Sequence, residues 1–474
     1  MSQLLAKKSL DALLEEAGEH GRQGLKRTLG SLDLLALGVG ATIGAGIFVI
    51  TGSAAAQYAG PAIVLSFVLT GIVCALAGLC YAEFASLVPI AGSAYSYAYA
   101  TLGEAFAWII GWDLILEYGF SAATVASGWS GNLVSLLADF GVHIPPALLG
   151  RFNLPAFLVV LAVTAILVTG IRESANFNAV VVALKVATVL IFIGVAAGFL
   201  WQYPAIAAAN WRPFIPPNAG EFGSFGWSGI ARGAAVIFFA YIGFDSVSTA
   251  AQEARRPQRG MPIGILGSLA ICTLLYILVA AVQTGVVHYS KLNVAAPVAL
   301  AIDRTGVRWG SLLVKLGTFC GLSTTMLVAL LGQSRVFYSM SRDGLLPSWA
   351  AAVHPRFQTP WISTIVVGLF VAVFAAVIPI GVLGQLVSIG TLAAFAVVCA
   401  AVWRLRHTRP DLPRPFRVPL VPWVPALGIV SSVALMLSLP WDTWLRLVVW
   451  LLAGAVVYCF YGRRHSRVRN PSTN

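Results

Sequence analysis

Apolar residues run along this chain in long uninterrupted stretches, divided by short polar segments rich in arginine, glycine and proline. Neither the period-two alternation of a half-buried strand nor the single apolar stripe of a water-facing helix describes these stretches. Windows of roughly 20 apolar residues are each long enough to cross ~30 Å of hydrocarbon. They recur twelve times, at 32–56, 62–87, 104–136, 154–171, 177–200, 229–252, 263–287, 310–340, 361–379, 383–403, 419–439 and 443–461. A backbone in lipid must satisfy its own hydrogen bonds. The pattern therefore predicts an all-α polytopic membrane protein with twelve transmembrane helices.

Composition agrees and charge adds orientation. Of 474 residues, 58% are hydrophobic and 10% charged, against about 25% charged in a soluble domain. The net charge of +12 would suit a nucleic-acid partner were the basic residues spread over one surface. With the N-terminus inside, however, twenty-one of the 30 basic residues fall in cytoplasmic segments and six in external ones. This is the positive-inside bias; it predicts a multi-pass protein of the cell (plasma) membrane with both termini cytoplasmic and no nucleic acid as partner. Residues 1–27 mix acidic and basic side chains and read as a cytoplasmic lead, not a signal peptide. All six cysteines lie in or beside spans, so structural disulfides are not expected.

The first window contains "LGVGATIGAGIF", with Gly38, Gly40, Gly44 and Gly46 at the centre of a membrane segment. Each interior glycine costs a helix roughly 0.5–1 kcal/mol relative to alanine. Taken alone, the stretch fits two readings equally. The glycines could let another helix approach closely, or the helix could be discontinuous and present free backbone groups to a polar cavity. Five spans later, "VIFFAYIGFDSVSTAAQE" sets Gly243 and the carboxylate of Asp245 inside another window. Irregular first and sixth helices are what a five-plus-five inverted repeat predicts. The expected organisation is a cytoplasmic segment (1–30), a first repeat of helices 1–5 (31–200), an external loop (201–228) and a second repeat of helices 6–10 (229–405). Helices 11 and 12 (406–462) are appended, followed by a cytoplasmic tail (463–474).

Four motifs in this order, "GVGATIGAGIFV", "YAEFASLVPIAGSAYSYAY", "FFAYIGFDSVSTAAQEARRPQRGMPIGI" and "LLGQSRVFYSMSRDGLLP", closely resemble the amino acid–polyamine–organocation transporter superfamily. The nearest resemblance is to bacterial members of its cationic amino acid transporter branch. It implies that backbone N–H groups at Thr42, Ile43, Gly44, Ala45 and Gly46 hold a substrate carboxylate. Carbonyls of Phe239, Ala240 and Ile242 would hold its ammonium, with Phe239 or Phe244 as a gate. Helix ends suit these roles, since an N-terminus attracts anions and a C-terminus cations. The resemblance also implies that Lys185, on the fifth helix, takes the place of a sodium ion in proton-coupled carriers. Protonated, it would bridge first-helix carbonyls around Gly40 and Ile43 to an eighth-helix hydroxyl, Ser323 or Thr324. From the residues alone, a lysine that snorkels to the headgroups is the competing reading.

Other intramembrane polar groups have weaker assignments. Glu117 is expected near the substrate ammonium or on a proton route, or as a structural acid; Asp245 as a coupling group or a brace of the broken sixth helix; Glu83 as a loop anchor. Lys315 is expected to snorkel, and Asp113 to line an external vestibule. The histidines form no metal or catalytic grouping and no phosphate-binding loop is present, which disfavours an enzyme or an ATP-driven pump. The pocket walls expected are Ile43, Phe239, Ile242, Cys320 and Met326, with no acid free to hold a cationic side chain. The expectation is thus a secondary carrier importing neutral L-amino acids with the proton as coupling ion, and no other cofactor or metal. A cationic amino acid carrier or exchanger, a channel, and a transporter-like amino acid sensor are the alternatives. Substrate and lipid bilayer are the partners this requires; a small membrane subunit is compatible with it, and the oligomeric state stays open.

Overall fold

A computed structural model describes residues 29–87, 93–169, 175–357 and 359–468; the lead at 1–27 lies outside them. Among the described residues all regular structure is helical, apart from one isolated bridge between Leu29 and Ala254. Among the described residues, twelve apolar helices follow one another along the chain. Helix α1 is α1a (Ser31–Thr42) plus α1b (46–59), and α2 is Ile63–Leu87. Helix α3 is Glu104–Asp139, α4 Leu154–Thr169 and α5 Ala175–Gln202. Helix α6 is α6a (Gly226–Ile237, continued by a turn to Tyr241) plus α6b (Asp245–Glu253). Then come α7 (Pro257–Val286), α8 (Arg308–Arg342), α9 (Trp361–Val377), α10 (Ile380–Thr408), α11 (Trp423–Ser438) and α12 (Trp441–Val457). Large apolar side chains such as Leu158, Leu274, Val430 and Leu452 point outward, as a lipid-facing surface requires.

The helix contacts obey the symmetry of an inverted repeat. Packing of α1 on α7 is matched by α6 on α2, α5 on α8 by α10 on α3, and α1 on α5 by α6 on α10. Equivalent helices also pair across the axis, α3 with α8 and α4 with α9. Helix α11 packs on α2, α6 and α10, and α12 on α10 and α3, where Trp112 and Trp450 stack at 4.8 Å.

Polar anchors tie these elements at the membrane face that carries both described ends of the chain. Arg255 N–H donates to Leu29 O at 2.9 Å, joining the start of α1 to the end of α6b. Glu83, at the end of α2, pairs with Arg406 (2.6 Å) and Arg414 (3.2 Å) and accepts Val418 N–H (2.7 Å), anchoring the loop after α10. At the opposite face Lys315 departs from expectation. It is 1% exposed and pairs with Asp139 at 2.7 Å and Asp303 at 2.8 Å, so its ammonium has no reason to reach for headgroups.

Candidate substrate and coupling site

The two broken helices meet at their breaks. After α1a, Ile43 is extended (φ −73°, ψ 102°); after α6a, Ile242 is extended in the same sense (φ −61°, ψ 130°). Gly243 follows at φ +124°, a conformation that L side chains rarely adopt. A methyl on Gly243 would lie 2.6 Å from the Ala41 carbonyl carbon, and one on Gly46 would lie 2.2 Å from Ala240 Cα. Each break thus presses a glycine against the other's backbone. The remaining glycines of α1 meet different neighbours: Gly38 meets Ser268 and Val247, Gly40 meets Val182 of α5, and Gly44 meets Thr325 of α8. The helix is interrupted, and its small residues also admit four neighbours, so close packing and interruption occur together. Helix α6b is a 3₁₀ run of nine residues, longer than that geometry usually persists and a common mark of a hinge.

A helix end leaves carbonyls without helical partners, and three of those of α1a are met here. Val39 O accepts Ile43 N–H at 2.9 Å, and Thr42 O accepts the Tyr276 hydroxyl at 2.7 Å. Gly40 O accepts Lys185 Nζ at 2.8 Å. The same ammonium donates to Thr325 Oγ1 at 2.9 Å, and Thr325 lies 3.3 Å from Ile43 O. Lys185, buried on α5, therefore joins the C-terminal end of α1a to α8, where the helix dipole favours a cation. The hydroxyl it meets is Thr325, which corrects the expectation of Ser323 or Thr324. Ser323 accepts Trp129 Nε1–H at 2.9 Å, and Thr324 bonds back to Gly321 O at 3.0 Å. One residue turns a helix by about 100°, so only the face of Thr325 and Gly321, four apart, looks at α5. A Cβ at Gly321 would stand 3.3 Å from Lys185 Cγ; its absence makes room for the lysine stem.

The positions expected to take a carboxylate and an ammonium lie on either side of these breaks. Around Gly44, Ala45 and Gly46 the N-terminus of α1b offers N–H groups without helical acceptors. The Thr42 hydroxyl is used within α1a, donating to Gly38 O at 2.7 Å, and the Ile43 N–H is spent on Val39 O at 2.9 Å, so Ile43 does not offer a carboxylate the free donor expected of it and Thr42 still belongs to the helix. On α6, Phe239 O already takes Ile242 N–H at 3.3 Å, leaving Ala240 and Ile242 as neighbouring carbonyls. Ile43, Phe239 and Met326, expected as pocket walls, are buried and Ile242 is half-buried. Cys320 is exposed and cannot be one, because its side of α8 faces away from the core. Phe244 is wedged edge-on between Tyr81 (6.3 Å) and Phe395 (5.3 Å) and serves packing.

Three acids cluster beneath the α6 break. Asp245 Oδ1 accepts Gly243 N–H at 3.1 Å, which braces the break. The Glu117 carboxyl lies within hydrogen-bonding reach of Asp245 and accepts Thr391 Oγ1–H at 3.2 Å through Oε2, while Oε1 has no donor. Asp113, one turn before Glu117, is buried against Gly390 of α10 with Oδ1 unpartnered. It lines no vestibule, because α10 closes over it.

The chain as a whole has known counterparts. The amino acid permease family matches residues 29–462. The chain belongs to that family. The permease is 46% identical to the methylthioribose transporter of Bacillus subtilis over 98% of this chain and 99% of that protein. It is 45% identical to the branched-chain amino acid permease BcaP of the same organism, over 98% of each. It also shares a fold with MhsT, solved in complex with L-phenylalanine: TM-score 0.60, 14% identity, 88% of this chain and 99% of that one. The permease is thus a transporter and not an enzyme. Tyr276, Thr325 and Gly321 escaped the sequence reading; the Gly317–Gly321 spacing that seats the α5 side chains of Thr188 and Lys185 was the available signal.

Proposed function

We propose that this permease is a proton-coupled secondary carrier that imports neutral L-amino acids by alternating access, with both termini in the cytoplasm. The observation that carries this reading is the Lys185 ammonium, buried and bonded to Gly40 O and Thr325 Oγ1. Both partners are neutral, so no counter-ion holds the charge in place. With its proton, Lys185 ties α1a to α8; without it, two donated bonds weaken and α1a is free to move on the side where its first residues lie. The zwitterion is recognised by α1b amides and α6a carbonyls, and the buried walls Ile43, Phe239 and Met326 suit an apolar side chain. The acid pair Glu117–Asp245 offers a second place for a proton beside the site.

A second reading comes from the methylthioribose transporter relative. A sugar thioether carries neither carboxylate nor ammonium and would use the same groups as hydroxyl partners. Uptake into sodium-free proteoliposomes, with and without an imposed acid-outside gradient, tests the coupling. A competition panel of alanine, leucine, phenylalanine, arginine and methylthioribose tests the substrate. We expect gradient-dependent uptake inhibited by the neutral amino acids. Strict sodium dependence would defeat the proton reading, and inhibition by methylthioribose alone would defeat the substrate reading.

A further inference from the structure

The segment 288–307 joins α7, which packs on α1, α2 and α5, to α8, which packs on α3, α5 and α9. Within the segment a short helix, Pro297–Arg304, buries Val298, Ala301 and Ile302. It sits over α1b: a Cβ at Gly52 would lie 2.4 Å from Pro297 Cβ and 2.8 Å from Leu292 O. Its last turn is held by the buried Lys315 of α8, through Asp303 at 2.8 Å. The same ammonium holds Asp139 at the end of α3 at 2.7 Å and 2.8 Å, and Ser311 of α8 donates to Asp303. A cavity of about 750 Å³, lined in part by Asp139, Asp303, Arg308 and Ser311, opens beside this cluster.

We infer that Lys315 is a positioning residue that clamps the 297–304 helix to the α3–α8 group as a plug over α1b. Two carboxylates from separate elements, each more than a third exposed, converge on one buried ammonium, and removing the lysine leaves both acids facing each other without a cation. The plug is therefore carried by α8, not by α7 to which the chain first ties it. When α1 shifts relative to α8, as alternating access requires, α1b slides beneath a fixed plug, and the seal forms or opens at Gly52. Taking the orientation proposed above, the plug closes the external side.

The test reads access, not uptake, so it does not depend on the substrate. Ala55 is buried on α1b, one turn beyond Gly52 and on its face. A55C in a C320S/C459S background reports plug opening through its labelling rate with a membrane-impermeant maleimide, in sealed vesicles of each orientation. K315M and D303N should each raise the rate about tenfold, whereas D139N, which leaves the bond from plug to α8 in place, should change it less than threefold. Labelling confined to inside-out vesicles would reverse the orientation and leave the clamp standing. Unchanged rates in D303N and in folded K315M, or a D139N effect equal to that of D303N, would overturn the clamp; if K315M does not fold, D303N against D139N decides alone.

Discussion

Two lysines of this permease are buried to the same degree and are held in opposite ways. Lys185 (2% exposed) donates to a carbonyl and a hydroxyl, while Lys315 (1% exposed) faces two carboxylates. Neutral partners stabilise an ammonium without fixing its charge, which is what the proposed proton exchange at Lys185 requires. Lys315 instead links two carboxylates from separate elements, which would face each other without a cation if it were removed. Burial alone therefore does not mark a coupling residue; the charge of the partners does.

The largest expected effect breaks this comparison directly. K185A should abolish the dependence of uptake on an acid-outside gradient in proteoliposomes, with an unchanged elution profile in detergent. K315M should slow uptake yet retain its full response to the gradient. A K185A carrier that still responds to pH would place the coupling proton elsewhere, with Glu117 and Asp245 the next candidates.

Next in size is the contact between the two breaks. G243A puts a methyl into the Ala41 carbonyl at a φ of +124°, a strain of about 1–3 kcal/mol before any steric clash. It should lower the thermal unfolding midpoint and eliminate uptake. G194A, on the open face of α5 where a Cβ meets nothing within 4 Å, should leave both unchanged or raise the midpoint slightly.

A smaller effect separates the acids. E117Q should reduce gradient-driven accumulation roughly tenfold while preserving substrate counterflow, which needs no net proton movement. Loss of counterflow as well would assign Glu117 to the substrate ammonium. Smallest is the hydroxyl beside Lys185. T325V should weaken gradient-driven uptake about fivefold, the scale of one hydrogen bond near 1 kcal/mol. S323A and T324A should stay within about twofold in the same assay, since neither touches the lysine.

The twelve apolar helices and both interruptions were legible in the chain, because hydrocarbon admits few structures other than helices and glycine marks where a helix yields. Lys185 was legible as well, since charge is rare at that depth. What it binds on α8 was not. Neighbouring residues on a helix differ in direction by about 100°, so only the packed rotation of α8 selected Thr325 over Ser323 and Thr324. The same holds for Cys320, which the sequence placed on a wall and the packing turned outward. Lys315 shows the limit most plainly. Its partners lie 176 residues away on α3 and in the loop before α8. Hydropathy describes how a residue meets lipid or water, whereas the sign and number of its charged neighbours arise only when distant helices close around it.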